Sequence, residues 1–519
     1  MNTSVISPPV GGDAPATPAV PLRQPKGLFV LFLAEMWERF SYYGMRGLLV
    51  LYLVNALHVP RGEALHMYGI YTGLVYLTPM FGGWLADKYL GARVAAIIGG
   101  SVMMIGHFAM AFPSMLTVAL GCLIVGNGFF KPNTTTMVGM LYERRDDPRR
   151  DAGYTYFYMG INLGATFGPL IAGSLGENPA YGWHWGFASA GIGMGLGLIN
   201  FLWMQRWLGG AGLREGKLAI GWDELPKVLA WVAGAVAFVY LTLGVWSIIG
   251  PVLAPVPVTL RLLVTAGVIF VALQIRDRLR PNPDAVPLTR EERGRVIGLL
   301  VMVAFVSFFW LGFEQAGGSM NLFADEQTDR HIAGPDSWLI PASWFQSINP
   351  VIILALGAPF AMMWTRWNAS RFAISDTAKQ GLGMIVLGLG FVVLAIAQDR
   401  AESIGKVGPW WLVAVYFLHT VGELMASPVG LAMVSRIAPA RMASFMMGVW
   451  FLSSAVAEYY AGDLENLLKP TGIKPYVFLI ASSIGAGVLL LVITPLLNRL
   501  MGITRHDRGG AAVEAANPA

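Results

Sequence analysis

Only one cysteine, Cys122, occurs in 519 residues, which excludes an intrachain disulfide and leaves no Cys/His cluster at metal-ligand spacing. Charge is scarce too: 13% of residues are charged against 55% hydrophobic, a balance far too apolar for one soluble domain. The net charge of +5 is small and its cations lie in short loops rather than on one broad face, so nucleic acid is not an implied partner. His107, His184 and His419 are scattered without nucleophile or metal partners. They read as helix or interface residues, and an enzyme is the least supported class. Residues 1–22, rich in Pro, Ala and Val, lack the basic segment that precedes a cleavable apolar core. They read as a disordered cytoplasmic tail, with Arg23 and Lys26 anchoring the first helix.

What the chain has in abundance is apolar stretches of ~20 residues, each long enough to cross a hydrocarbon core of ~30 Å as a helix. Their unbroken hydrophobicity excludes the alternating pattern of an outer-membrane barrel, so the fold class is an all-α polytopic membrane protein. Loop signals divide the chain into spans near 27–57, 64–86, 93–112, 115–140, 152–175, 183–208, 226–249, 257–275, 295–323, 341–366, 373–398, 410–438, 441–468 and 474–500, about fourteen transmembrane helices. An even number puts both termini on one side. About 26 of the 36 Lys and Arg fall in the termini and even-numbered connections, against about 6 in the others, which makes that side cytoplasmic.

The spans 226–249 and 257–275, set apart by charged loops and nearly free of ionisable residues, read as a pair inserted between two groups of six. The expected organisation is a cytoplasmic tail over 1–26, a six-helix bundle over 27–208, a linker carrying the inserted pair over 209–294, a second six-helix bundle over 295–500 and a cytoplasmic tail over 501–519. Two six-helix bundles around a central cavity resemble the major facilitator superfamily, whose halves rock about a midplane site. GGWLADKYLGAR at 82–93 is similar to that superfamily's loop between its second and third helices, with Gly83, Asp87, Lys88, Gly91 and Arg93 at the pattern positions. Glycine lets the helices approach, and Asp87 can cap or pair at a helix end, so the loop can latch the cytoplasmic side shut. Its counterpart in the second half, WTRWNASR at 364–371, is degenerate.

Ionisable residues inside the apolar spans carry the functional signal. In LFLAEMWERFSYYGMRGLLVLYLV, residues Glu35, Glu38, Arg39, Tyr42 and Arg46 fall on one stripe of a helix. Ionisable groups at membrane depth cost a few kcal/mol each, so they persist where they pair, line a pathway or carry protons. That stripe faces protein or water, not lipid. Further polar positions interrupt the other spans: Lys131 in GNGFFKPN, Tyr154, Tyr158 and Asn162 at i, i+4 and i+8, Trp310 one turn before Glu314, Asn349 before Pro350, Glu423 one turn before Ser427, and Trp450 one turn before Ser454. The cations lie in the first six helices and the unpaired acids Glu314 and Glu423 in the last six. Such segregation permits ion pairs between the halves that form in one state and break in the other. It also matches a zwitterion, whose carboxylate and ammonium exchange water for opposite partners.

Taken together, these residues resemble the proton-dependent oligopeptide transporter family, prokaryotic type, over essentially residues 27–500. Three blocks carry the resemblance: Glu35-Met36-Trp37-Glu38-Arg39 with the following Phe40 to Arg46, the F-Y-x-x-I-N-x-G run from Phe157 to Gly164, and GELMASPVGL from Gly422 to Leu431. The resemblance implies a proton-coupled symporter that imports di- and tripeptides by alternating access, driven by the proton gradient without a cofactor. It implies a bacterial inner-membrane protein working as a monomer, surrounded by lipid. Glu35, Glu38 and Arg39 would form the proton-coupling cluster. Arg46 and Lys131 would hold the peptide carboxylate, and Glu423 with Asn162 and Asn349 would receive its amino end and backbone. Tyr42, Tyr43, Tyr76, Tyr158, Trp310 and Trp450 would shape side-chain pockets, with Ser427 beside them. Arg46–Glu314 would close the outer gate and Lys131–Glu423 the inner one. The competing reading, a carrier of nitrate or another small anion, is disfavoured by Glu423, because an acid opposite the cations suits an ammonium better than an anion.

Overall fold

The computed structural model describes residues 23–214 and 288–503, with breaks at 143, 145–146, 148, 332–333, 335–336, 369, 371–372 and 440–441. The expected inserted pair, 226–249 and 257–275, lies outside the described residues, as do most of both tails. Apolar runs of this length satisfy their backbone groups internally as helices. Among the described residues the long elements are α1 (Lys26–Leu51), α2 (Arg61–Leu77, resumed after Thr78 as Pro79–Leu85), α3 (Ala92–Ala109), α4 (Leu116–Met140), α5 (Arg149–Gly176), α6 (Trp183–Met204), α7 (Arg290–Phe313), α8 (Ile348–Asn368), α9 (Asp376–Ile404), α10 (Trp410–Ile437), α11 (Ala443–Leu468) and α12 (Pro475–Met501). No strand occurs among the described residues, only two isolated bridges, Thr328 with Val407 and His331 with Leu339.

Eight of these helices are long and apolar enough to cross a membrane. Those outside that set include α1 and α11, into which the sequence places acids and arginine among the leucines, the same side chains that mark function. Helix ends follow local chemistry. Thr289 accepts from the Glu292 backbone N–H at 3.1 Å while its own N–H donates to the Glu292 carboxylate at 2.9 Å, a reciprocal cap that starts α7. Ser375 caps α9 one way only, its hydroxyl accepting from the Ala378 N–H at 3.3 Å, and Gly502 in the left-handed region ends α12.

In the first group of helices, α1 packs on α5 and α6, and α3 on α4; in the second, α9 packs on α10 and α12, and α7 on α11 and α12. The two groups meet mainly where α2 lies against α11, and where α5 lies against α8 and the 3-10 turn Ala342–Ser347 before it. Hydrogen bonds that join the groups gather at the end opposite the chain termini. Asn55 donates to Asp325 at 2.8 Å. Arg61 makes two 2.8 Å bonds to Glu465 and one of 2.6 Å to Glu326, and His66 lies 3.1 Å from Asp463.

A second seal forms around Glu177, just beyond the last residue of α5. Its carboxylate accepts from the Ala342 N–H at 2.6 Å, the Ser343 N–H at 3.0 Å and the Ser343 hydroxyl at 2.6 Å, with Arg330 at 3.4 Å. Burial pushes the Glu177 carboxyl above its usual range, against the pull of those donors and of Arg330.

The loop at 82–93 behaves differently from its expected role. Asp87 is exposed and no partner for it is seen among the described residues, so it caps nothing here. The latch is Arg93, whose guanidinium donates to the Ala211 carbonyl at 2.6 and 3.1 Å and to the Gly209 carbonyl at 2.8 Å. Lys88 rests over the Trp84 and Tyr89 rings, 5.2 Å from each centroid. The connection after α6 is thereby fastened to the start of α3, within one group of helices rather than between the two.

Candidate functional site

The charged stripe of α1 turns inward. Glu35, Glu38, Arg39, Tyr42 and Arg46 are all at most 5% exposed, which requires each charge to find partners inside the protein. Arg39 forks onto Glu38, through Nε and through a 2.7 Å bond from its terminal nitrogen to Oε1. Glu38 accepts a further bond from Asn127 Nδ2 at 3.1 Å. Glu35 stands 3.5 Å from Arg39 Nε and accepts from the Thr134 hydroxyl at 3.0 Å. Both donors come from α4, so α1 and α4 together build a dry cluster of two carboxyls on one guanidinium.

Two turns further along α1, Arg46 ion-pairs with Glu314 of the second group and donates from Nε to the Tyr68 hydroxyl at 2.6 Å. The chain permits this reach because α7 stops at Phe313. Glu314 opens the 3-10 turn Glu314–Gly317, and the Gly317-Gly318 pair lets the backbone bend away. Arg46 therefore bridges the groups of helices, as expected of it.

Beneath this bridge lies a cavity of about 280 Å³ lined by Tyr43, Arg46, Tyr76, Lys131, Tyr158, Asn162, Trp310, Glu314, Asn349, Glu423, Ser427 and Trp450, with Gln346, Gln380 and His419 added. Its size sits at the small end of the ~300–1,000 Å³ typical of small-molecule sites, which suits a ligand of a few residues and excludes a folded partner. Lys131 holds its ammonium over the Tyr76 ring, 4.5 Å from the centroid. Glu423 accepts from Asn349 Nδ2 at 2.8 Å, and Asn349 also donates to the Thr420 hydroxyl at 3.0 Å. Asn162 turns its amide back onto the Tyr158 carbonyl at 3.0 Å. Lys131 and Glu423 form no ion pair, so the expected inner gate is unmade in this structure while the expected outer one is made.

Two placements differ from the sequence reading. Tyr42 is not in the cavity wall: it is 1% exposed, its ring lies 5.2 Å from that of Tyr43, and the Arg39 guanidinium sits 4.9 Å over it. Adjacent residues on a helix point about 100° apart, so Tyr43 takes the cavity face and Tyr42 the packing layer behind. His419, read as an interface residue, lines the cavity with Nε2 unpartnered.

Sequence reasoning also missed two buried polar groups. Gln380 of α9 faces the cavity with neither amide atom hydrogen-bonded, and a lone amide in a polar-poor helix offered no strong signal. Glu458 of α11 is 1% exposed and its signal was plain, an acid inside an apolar run in AVAEYY.

Comparisons with known proteins agree with this geometry. A family model described as the POT family matches residues 93–219 and 285–476. The chain is 34% identical to the peptide transporter YePEPT of Yersinia enterocolitica, over 93% of this chain and 96% of that protein. It is 32% identical to dipeptide and tripeptide permease A of Proteus mirabilis, over 86% of this chain and 87% of that protein. Among solved structures, a mutant of a peptide transporter POT in complex with alafosfalin is 34% identical and superposes with a TM-score of 0.77, over 92% of this chain and 96% of that one.

Proposed function

The chain belongs to the POT family, and from that premise we propose how its cavity works as a proton-coupled importer of di- and tripeptides. It is a membrane transporter and not an enzyme. The observation that carries the reading is one small cavity holding an unpaired ammonium, Lys131, and a carboxyl, Glu423, contributed by opposite groups of helices. A peptide presents the complementary pair at its two ends, and both ends must exchange water for partners of opposite sign. Nitrate would leave Glu423 facing an anion, which disfavours the alternative.

In the proposed cycle the two groups of six helices rock about this cavity as in the major facilitator superfamily, with the inserted pair completing fourteen transmembrane helices in the cell membrane and both termini cytoplasmic. On that orientation the sealed end with Glu177 and Arg61 is the outer one. A proton on Glu38 or Glu35 weakens the fork onto Arg39 and frees the guanidinium. Peptide then spans the cavity, its carboxylate toward Lys131 and, once Glu314 lets go, Arg46, its ammonium toward Glu423 with Asn349 and Asn162 along the backbone. Tyr43, Tyr76, Tyr158, Trp310, Ser427 and Trp450 bound the side-chain space. Each step shifts the balance of states only by as much as proton and peptide bind one state better than the other. A single chain encloses the whole cavity, which supports a monomer as the working unit.

The test is acidification of proteoliposomes on adding dipeptide or tripeptide, with a free amino acid and nitrate as controls. Peptide-dependent proton entry is expected with no response to either control. A response to nitrate, or peptide uptake indifferent to an imposed pH gradient, overturns the reading.

A further inference from the structure

Glu458 sits where α11 meets α2 across the seam between the two groups of helices. The seam is tight: a Cβ added to Gly69 would lie 2.6 Å from the Tyr459 carbonyl oxygen and 2.9 Å from the Gly462 Cα, so the helices touch backbone to backbone. The turn that carries Glu314 is fastened to α11 one turn on from Glu458, where Gln315 Nε2 donates to the Ala461 carbonyl at 3.0 Å, and the Glu458 carboxyl is buried there with Oε2 lacking any partner. Thr72 has one proton to donate, and its Oγ1 bonds the Tyr68 carbonyl at 3.0 Å. The Thr72 hydroxyl, which acts on Glu458 from α2, thus spends its proton within its own helix.

Charge leads to the same place. Arg46 is ion-paired with Glu314, and the other ionisable groups that Glu458 senses from α1, α2 and α4 are Tyr42, Tyr68, Tyr76 and Lys131, the last held over the Tyr76 ring. One guanidinium, already paired with Glu314, is thus the cation that Glu458 shares. Neighbouring carboxylates in an apolar interior cannot both stay ionised.

We propose that Glu458 is a proton-binding residue of this transporter, holding one proton while α2 and α11 are closed and releasing it when they part. The proposal rests on the peptide-transport reading above and adds a proton site to it. Parting the helices brings water to Glu458 and takes it away from the Glu314 charge, so its carboxyl ionises. Closing them takes a proton up. Closure of the end bearing Arg61 and Glu177 is then favoured as pH falls, by up to about tenfold in the closed-to-open ratio per pH unit for one proton.

The experiment places spin labels on cysteines introduced at Glu63 and Lys469, in a Cys122→Ser background, and follows the distance between the start of α2 and the end of α11 in lipid nanodiscs from pH 5 to 8. Parallel samples carry His66→Gln, so that the His66–Asp463 contact at the same seam does not supply the response. The closed fraction is expected to rise as pH falls, and Glu458→Gln is expected to shift the seam toward closed with a shallower slope, that which remains coming from Glu177 at the same end. The same slope in Glu458→Gln as in its parent overturns the proposal. Should Glu458→Gln fail to fold, infrared spectra of the unmodified protein decide: a protonated-carboxyl stretch at neutral pH is expected, and its absence overturns the proposal. Dipeptide-driven acidification is run on the parent alongside. Its absence would count against the transport reading, whereas normal acidification with an unchanged slope would count against Glu458 alone.

Discussion

Lys131 and Glu423 face the same cavity from opposite groups of helices without forming an ion pair, the ammonium over Tyr76 and the carboxyl on Asn349. Arg46 and Glu314 meanwhile are joined. The far end is sealed while the pair nearer the chain termini is unmade, which is the arrangement of a carrier open toward one side only. Both cavity charges are thereby available to a ligand.

Lys131→Ala removes the unpaired cation and, with it, one partner of the pair expected to close the opposite side. A charged hydrogen bond is worth ~1.5–3 kcal/mol, so the KM for dipeptide should rise by about tenfold or more, and proton-driven accumulation should disappear. Uptake assays in proteoliposomes with an inward proton gradient check this. Wild-type KM and accumulation in Lys131→Ala would remove Lys131 from the site.

Glu38→Gln keeps the size of the side chain and the acceptor for Asn127 but discards the carboxylate charge and the forked bond to Arg39. Proton-driven accumulation should be lost while counterflow of labelled dipeptide across the membrane stays measurable, because exchange needs rocking but no net proton movement. Uphill uptake retained in Glu38→Gln would place the coupling elsewhere.

Much of this was legible in the sequence, for a physical reason. Lipid forbids unpaired charge, so every ionisable residue inside an apolar run declares an interior position, and Glu35, Glu38, Arg39, Arg46 and Glu314 are buried accordingly. Element boundaries were legible too: the span expected at 183–208 is a helix and 3-10 turn ending at Leu208. What one sequence cannot supply is distance between helices. That Glu458 is left unpartnered at the seam with α2, that Arg93 reaches the Gly209 carbonyl while Asp87 stays exposed, and that Tyr43 rather than Tyr42 meets the cavity all depend on helix rotation and packing, to which a periodicity of 3.6 is blind.

Glu177→Ala tests the second seal at the far end. The change strips an acceptor from two backbone N–H groups and the Ser343 hydroxyl, and unsatisfied buried donors cost ~1–3 kcal/mol. Hydrogen exchange should quicken over 166–177 and 342–347. Burial also raises Glu177 above its ordinary carboxyl value of 4.5, so the sealed state binds a proton more tightly than the open one. The contribution of Glu177 to sealing is then largest at low pH and declines as pH rises from 4.5 through the raised value. That part of the pH dependence should vanish in Glu177→Ala, and unchanged exchange in both segments would contradict the seal.

Gly430→Ala probes how the cavity wall is shaped. A Cβ at Gly430 of α10 would come 2.3 Å from the Trp450 ring, so only glycine lets the indole lie flat against α10 and bound the cavity. Trp450 is 4% exposed, and the cavity it borders is the space open to it. The added methyl should push the ring into the cavity, with an overpacking cost of ~1–3 kcal/mol. Uptake of dipeptides with bulky side chains should fall by about tenfold while glycine-rich dipeptides are affected less, since the volume is removed from the side-chain space and not from Lys131 or Glu423. Competition of bulky and small dipeptides against one labelled substrate measures the difference, and an equal loss for both would mean that Trp450 holds the helices together rather than selecting the peptide.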